Sequence, residues 1–229
     1  MDTDLAARLA DVDARIADAA RAAGRDAAEI TRIVVTKFHP ATLVQDLFDL
    51  GVRDVGENRQ QELSAKAAVF AENRALRWHF IGQAQANKAR AIRAAASVVH
   101  SIDRPRIADA FETAGEADAA TLDVLLQVNL TTDPGRGGVA PDELESLAAH
   151  TAACRTLRVR GVMAVAPLDE APAAAFERLR GYADRVRTVV PDANWISAGM
   201  TADFAEAIAV GATHLRIGSA ITGPRPPRD

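Results

Sequence analysis

Lysine is the side chain best suited to covalent chemistry in this chain, and only three of the 27 basic residues are lysine. One of them, Lys37, closes the first strongly β-like run, Arg32-Ile33-Val34-Val35-Thr36. An amine sheds its proton more readily than a guanidinium when desolvated, and it condenses with carbonyl carbon. Lys37 is therefore a candidate for carbonyl chemistry, set against the plain alternative of a solvated strand end. Near the other terminus stand Ser197-Ala198-Gly199-Met200-Thr201 and Arg216-Ile217-Gly218-Ser219. Their glycines let backbone N–H groups approach a ligand closely, and their hydroxyls can donate to it. Such segments suit a phosphate. Thr201 reads as the N-cap of a short helix whose positive end would add to the attraction.

These residues need elements that bring them together. Strand-like runs are expected at 32–36, 52–55, 77–81, 97–102, 122–130, 159–166, 194–198 and 213–217. Helical patterns lie between most of them. Leu43, Val44, Leu47 and Leu50 follow Pro40, residues 57–70 and 84–96 are alanine-rich, and Phe176, Leu179, Ala183, Val186 and Val190 form an apolar stripe. Before any strand, Leu5, Leu9, Val12 and Ile16 line one face of a helix that Gly24 ends. Eight strands alternating with helices predict an α/β fold, a single (β/α)8 TIM barrel with an extra N-terminal helix. The expected layout is one domain over 1–229: helix 1–24, barrel 32–223 and tail 224–229. An open doubly wound sheet is the alternative, but no GxGxxG follows the first strand. In a barrel the C-terminal strand ends share one mouth, and the loops after strands seven and eight commonly hold phosphate. Lys37, Gly56-Glu57-Asn58, His79 to Gly82 and the two late segments all belong to that mouth.

Composition narrows the function classes. At 229 residues and 48% hydrophobic content the chain suits one sizeable domain, and a net charge of −4 gives nucleic acid little to attract it. A lone cysteine, Cys154, in a predicted helix, excludes an intramolecular disulfide and a cysteine-based metal cluster. The first 20 residues carry acids where a signal peptide carries positive charge, and no stretch approaches the roughly 20 apolar residues of a membrane span. A cytoplasmic protein is the expectation. His39, His100, His150 and His214 scatter without metal-ligand spacing and read as structural or solvated. The loop 131–138 looks mobile.

A lysine and a phosphate cradle at one mouth suggest pyridoxal 5'-phosphate held as a Schiff base. IVVTKFHP, VRDVGENRQQEL, RWHFIGQAQANK, VHSID, LLQVNL, RGVMAV, SAGMT and RIGSAITG occur in this order. From about Ile33 to Gly223 the chain thereby resembles the pyridoxal phosphate homeostasis proteins, which are similar to the isolated barrel of fold-type III, alanine-racemase-like enzymes. The resemblance implies that Lys37 carries the Schiff base. It also implies that Ser197, Gly199, Met200, Thr201, Gly218 and Ser219 surround the phosphate, partly through backbone, that Arg216 faces the pyridine nitrogen, and that Asn58 orients the ring. His79 and Lys88 match family positions without an assigned role. Arg59, where an aromatic often follows GEN, Ala84 for a leucine, and Arg136-Gly137-Gly138 for a lysine-containing turn depart from the pattern at the pocket rim.

A guanidinium facing the ring nitrogen disfavours its protonation and weakens the cofactor as an electron sink. Fold-type III racemases add a tyrosine base from a second domain and a partner subunit. The single tyrosine here, Tyr182, falls within a predicted outer helix, and the length leaves no second domain. The expectation is a monomeric carrier that holds the cofactor without robust catalysis, with no catalytic residue and no metal, and with apo pyridoxal-phosphate enzymes as possible recipients. A weak racemase or related amino-acid enzyme is the alternative. A cofactor-free aldolase-like barrel using Lys37 is a third reading.

Overall fold

Period-two alternation sends one set of strand side chains toward the helices and the other into the barrel. The computed structural model describes residues 3–115, 120–133 and 135–225. The strands are β1 Thr31–Val35, β2 Asp54–Glu57, β3 Arg77–Phe80, β4 Val98–Ile102, β5 Leu122–Gln127, β6 Leu157–Met163, β7 Trp195–Ser197 and β8 His214–Ile217. All pair in parallel and close in sequence order, with β8 returning to β1 through Val34 opposite Ile217. This is the predicted (β/α)8 barrel. Its strand ends differ from the expected ones by at most three residues.

The helices are α1 Thr3–Ala22, α2 Ala41–Asp49, α3 Gln60–Val69, α4 Ala89–Ala95, α5 Pro105–Thr113, α6 Leu144–Ala152, α7 Pro172–Val189, α8 Phe204–Ala209 and α9 Ser219–Thr222. α5 fills a stretch where no element is expected from sequence. Pro105 opens it, and Ile107, Ala108 and Phe111 bury its inner face. Two expectations are corrected. Thr201 is not a helix N-cap: α8 begins at Phe204 with Asp203 at the cap position. Cys154 lies two residues beyond the end of α6 rather than within a helix, half-buried. In the loop 131–138, Asn129 acts as a hub, donating to the carbonyls of Asp133 and Arg136 and accepting from Thr131. Pro134, and residues 226–229 of the expected tail, lie outside the described residues.

Most of the core is the annulus between sheet and helices, where Leu47, Leu63, Ile92, Phe111 and Phe176 are fully buried. Each such side chain contributes about 1.5–3 kcal/mol. The apolar cluster inside the barrel is small: Val98, Leu125 and Met163, with Trp195 packed on it. The rest of the interior is largely polar, which a barrel tolerates only if its groups satisfy one another. α1 buries Leu5, Leu9, Val12, Ile16 and Ala20 and packs on α8 and α9. Just beyond it, Arg25 donates to the carbonyls of Ile208 and Ala212 at 3.0 and 2.8 Å, which ties this segment to the link between β7 and β8. No helix among the described residues is long and apolar enough to cross a membrane.

Candidate cofactor site

β1 ends at Val35, so Lys37 stands in the turn beyond it, with its side chain exposed. The fully buried neighbour is Thr36, and the buried lysine is Lys66 on α3. Backbone that leaves a sheet needs new hydrogen-bond partners, and here charged side chains provide them. Lys66 Nζ donates to the Thr36 carbonyl at 2.8 Å and to Glu57 Oε1 at 2.5 Å, and Thr36 Oγ1 donates to the same carboxylate oxygen at 2.6 Å. On the far side of Lys37, Glu62 Oε2 accepts the Phe38 N–H at 2.7 Å. Residues four apart share a helix face, so one face of α3 grips the chain both before and after Lys37.

Phe38 is held at φ 71°, in the left-handed region, which costs a non-glycine residue about 1–3 kcal/mol. Three cations lie over its ring, Lys37 at 5.7 Å, Arg59 at 5.2 Å and Arg225 at 3.9 Å. Burial pushes the Glu57 carboxyl above its usual range, although hydrogen bonds from Lys66 and Thr36 pull the other way.

The β8 loop rises directly beside the Lys37 segment, since β8 and β1 are paired neighbours. A Cβ placed on Gly218 would lie 3.7 Å from Val35 Cβ. Gly199 has φ +90°, and a Cβ there would come within 2.8 Å of Ala207 Cβ and 2.9 Å of Phe204 Cα. Only glycine allows the β7 loop to pack so closely. Ser219 is exposed, Thr201 half-buried and Met200 exposed. The Met200 amide is already engaged, donating to Asp203 Oδ1 at 2.6 Å.

Ser197 and Arg216 sit deeper. Both are buried, and Arg216 donates to Ser197 Oγ at 2.6 Å and to the Ala164 carbonyl at 2.8 Å. Both of these acceptors are neutral, and the Asp203 carboxylate acts on the guanidinium only through space. Burial lowers its pKa to about 10, still far above neutrality. The Ser197 hydroxyl is thus committed inside the barrel. On β2–β3, Asn58 is half-buried and its Oδ1 has no hydrogen-bond partner among the described residues. Gly82 packs so tightly on Asn58 that a Cβ would fall 2.0 Å from its carbonyl oxygen. Lys88 lines a cavity of about 180 Å³ next to Asn58 and Gln83.

Of the histidines expected to be structural or solvated, His100 and His214 are buried. His79, His100 and His214 converge inside the barrel, with ring centroids 5.2 to 6.4 Å apart. No group of three or more potential metal ligands forms among the described residues. His150 lies outside, against Asp109. Burial, with repulsion from His79, lowers His214 from 6.5 to about 3; Asp54, Arg77 and Arg160 also face it. Its folded pKa lies below the unfolded value, so stability present above pH 6.5 is lost as pH falls toward 3. Melting temperature should decline across that window, and His214→Phe should flatten the decline. A pH profile identical in the two proteins would contradict a buried, neutral His214.

Residues 8–226 match the model of the family described as alanine racemase, N-terminal domain. The chain belongs to that family. Within it, the chain is similar to the pyridoxal phosphate homeostasis proteins of Mycobacterium tuberculosis, at 39% identity over 98% of this chain and 94% of the relative. It is likewise 41% identical to that of Pseudomonas aeruginosa, over 96% of each. The structure of PipY from Synechococcus elongatus with PLP bound superposes with a TM-score of 0.83 at 29% identity, covering 96% of this chain and all of that one. The sequence reading names Lys37 and the late glycine loops, which the fold brings to one end of the barrel. It misses Thr36, Glu62, Lys66, Asp54 and the role of His100. The one available signal was the rarity of lysine, which applies to Lys66 as much as to Lys37.

Proposed function

We propose that this chain binds pyridoxal 5'-phosphate on Lys37 and serves its intracellular homeostasis without robust turnover of its own. The observation that carries this reading is the clamp of α3 on both sides of Lys37, which holds an exposed lysine at the end of β1 next to the Gly218 loop after β8. The residues present suit such a ligand. Among the described residues Asn58 Oδ1 has no donor, and Arg216 is a buried cation whose hydrogen-bond acceptors are both neutral. When bound, the cofactor supplies an aldehyde that condenses with a primary amine and loses water.

The remaining work falls to the chain. Lys66 and Glu62 orient the Lys37 backbone, the Gly199 and Gly218 loops with Thr201 and Ser219 receive the phosphate, and Arg216 sets the charge opposite the ring nitrogen. The Ser197 hydroxyl is engaged by Arg216 and supports that charge. Turnover needs a second proton-transfer group at the mouth. Tyr182, the single tyrosine, is on α7 against the annular core, with Arg185 over its ring at 5.4 Å. A monomeric cytoplasmic carrier that hands the cofactor to apo enzymes completes the reading.

The test is an absorbance titration with pyridoxal phosphate, combined with Cα proton exchange on common amino acids. A long-wavelength band that borohydride removes, with exchange near background, is the expected outcome. Exchange at enzyme-like rates would instead favour a racemase-like enzyme, and a protein that takes up no chromophore would leave only cofactor-free chemistry at Lys37.

A further inference from the structure

A continuous hydrogen-bonded chain crosses the barrel interior beneath the proposed site. Arg216 Nη1 meets Ser197 Oγ at 2.6 Å, Ser197 Oγ meets His100 Nδ1 at 2.9 Å, His100 Nε2 meets His79 Nδ1 at 2.9 Å, and His79 Nε2 meets Asp54 Oδ1 at 2.8 Å. The five residues come from β8, β7, β4, β3 and β2, and none is more than 8% exposed.

The two ends fix its direction. A guanidinium can only donate and an ionised carboxylate can only accept. Burial works to raise the Asp54 carboxyl, but hydrogen bonds from His79 and Arg77 outweigh it and hold the group below its usual range, hence ionised. Ser197 accepts from Arg216; at the other end Asp54 can only accept, so with both imidazoles neutral each carries its proton on Nε2 and Ser197 donates its own to His100 Nδ1. His100 then donates to His79 Nδ1, and His79 in turn donates to Asp54. Burial lowers the pKa of both imidazoles, His100 well below the usual value, with His79, His214 and Arg216 opposing its charge; Arg77 opposes charge on His79.

We infer that Asp54, His79 and His100 are positioning residues for Arg216, holding Ser197 as its acceptor and so fixing the guanidinium that faces the cofactor ring. This rests on the pyridoxal phosphate reading for its consequence, but not for the chain itself. A directional chain of this kind also stabilises each member through its neighbours. It makes the far end of the barrel part of the machinery that sets the ring nitrogen's charge.

Two experiments test it. Nitrogen-15 NMR of the imidazoles, without cofactor, should show His79 and His100 both neutral with Nε2–H near pH 7. An Nδ1–H tautomer or an imidazolium at either ring overturns the inference. In the second, His100→Phe keeps a ring but cuts both links, and should move the pH midpoint of the bound cofactor's absorbance by at least about half a unit. His100→Gln, whose amide offers one acceptor and one donor, should restore much of the shift. A Phe variant that binds the cofactor with the wild-type midpoint overturns the inference while leaving the site reading intact. If the wild type takes up no pyridoxal phosphate, the site reading fails and the imidazole spectra still decide the chain. Should His100→Phe not fold, Asp54→Asn replaces it: loss of the acceptor-only anchor should change the His79 tautomer ratio, and an unchanged ratio counts against the inference.

Discussion

Lys66→Met is expected to lower the unfolding free energy by about 3–5 kcal/mol, because it leaves the buried Glu57 carboxylate without its cation. For a chain of this size that corresponds to a fall in melting temperature of roughly 6–20 °C. The loss should be largest above the ordinary glutamate range. At lower pH the folded variant can protonate Glu57, whose pKa is raised, and part of the deficit disappears. The substitution also frees the Thr36 carbonyl that Lys66 holds at 2.8 Å, so cofactor retention should weaken together with stability. A double variant, Glu57→Leu with Lys66→Met, removes the orphan charge and should regain most of the stability but not the retention. Calorimetry showing Lys66→Met within about 0.5 kcal/mol of wild type, a change typical of surface sites, would contradict the buried pair.

Arg216→Glu should produce the largest change in the bound cofactor. A charge within roughly 4–6 Å moves a pKa by about 1–3 units, and reversing its sign acts twice. The pH midpoint of the absorbance should rise by about 2 units or more, and a protonated ring should persist at neutral pH. Arg216→Gln, which removes the charge but keeps a donor for Ser197, should give a smaller shift in the same direction. Spectra that titrate alike in all three proteins would remove Arg216 from the ring.

The fold was legible because several strands are short β-branched or aromatic runs followed by helix signals, as in Ile33-Val34-Val35 or Trp78-His79-Phe80. α5 was missed although Pro105 and the Ile107–Phe111 spacing mark it, because its short length resembles a loop between two strong strands. The mouth was legible through Lys37 and the glycines, since close approach of backbone leaves a trace in residue type. The clamp was not. Glu62 and Lys66 at a spacing of four read as a solvent-facing helix pair, and only the packing of α3 across the end of β1 turns them inward. The polar chain was equally hidden. Asp54, His79, His100, Ser197 and Arg216 are up to 162 residues apart and meet only through barrel closure and register.

The most direct measurement is borohydride reduction of the protein loaded with pyridoxal phosphate, followed by peptide mapping of the reduced adduct. The adduct should fall on Lys37 alone and vanish in Lys37→Ala. Its recovery on Lys66 or Lys88, or the absence of any adduct from a loaded wild-type protein, would contradict the assignment of Lys37 as the amine that holds the cofactor.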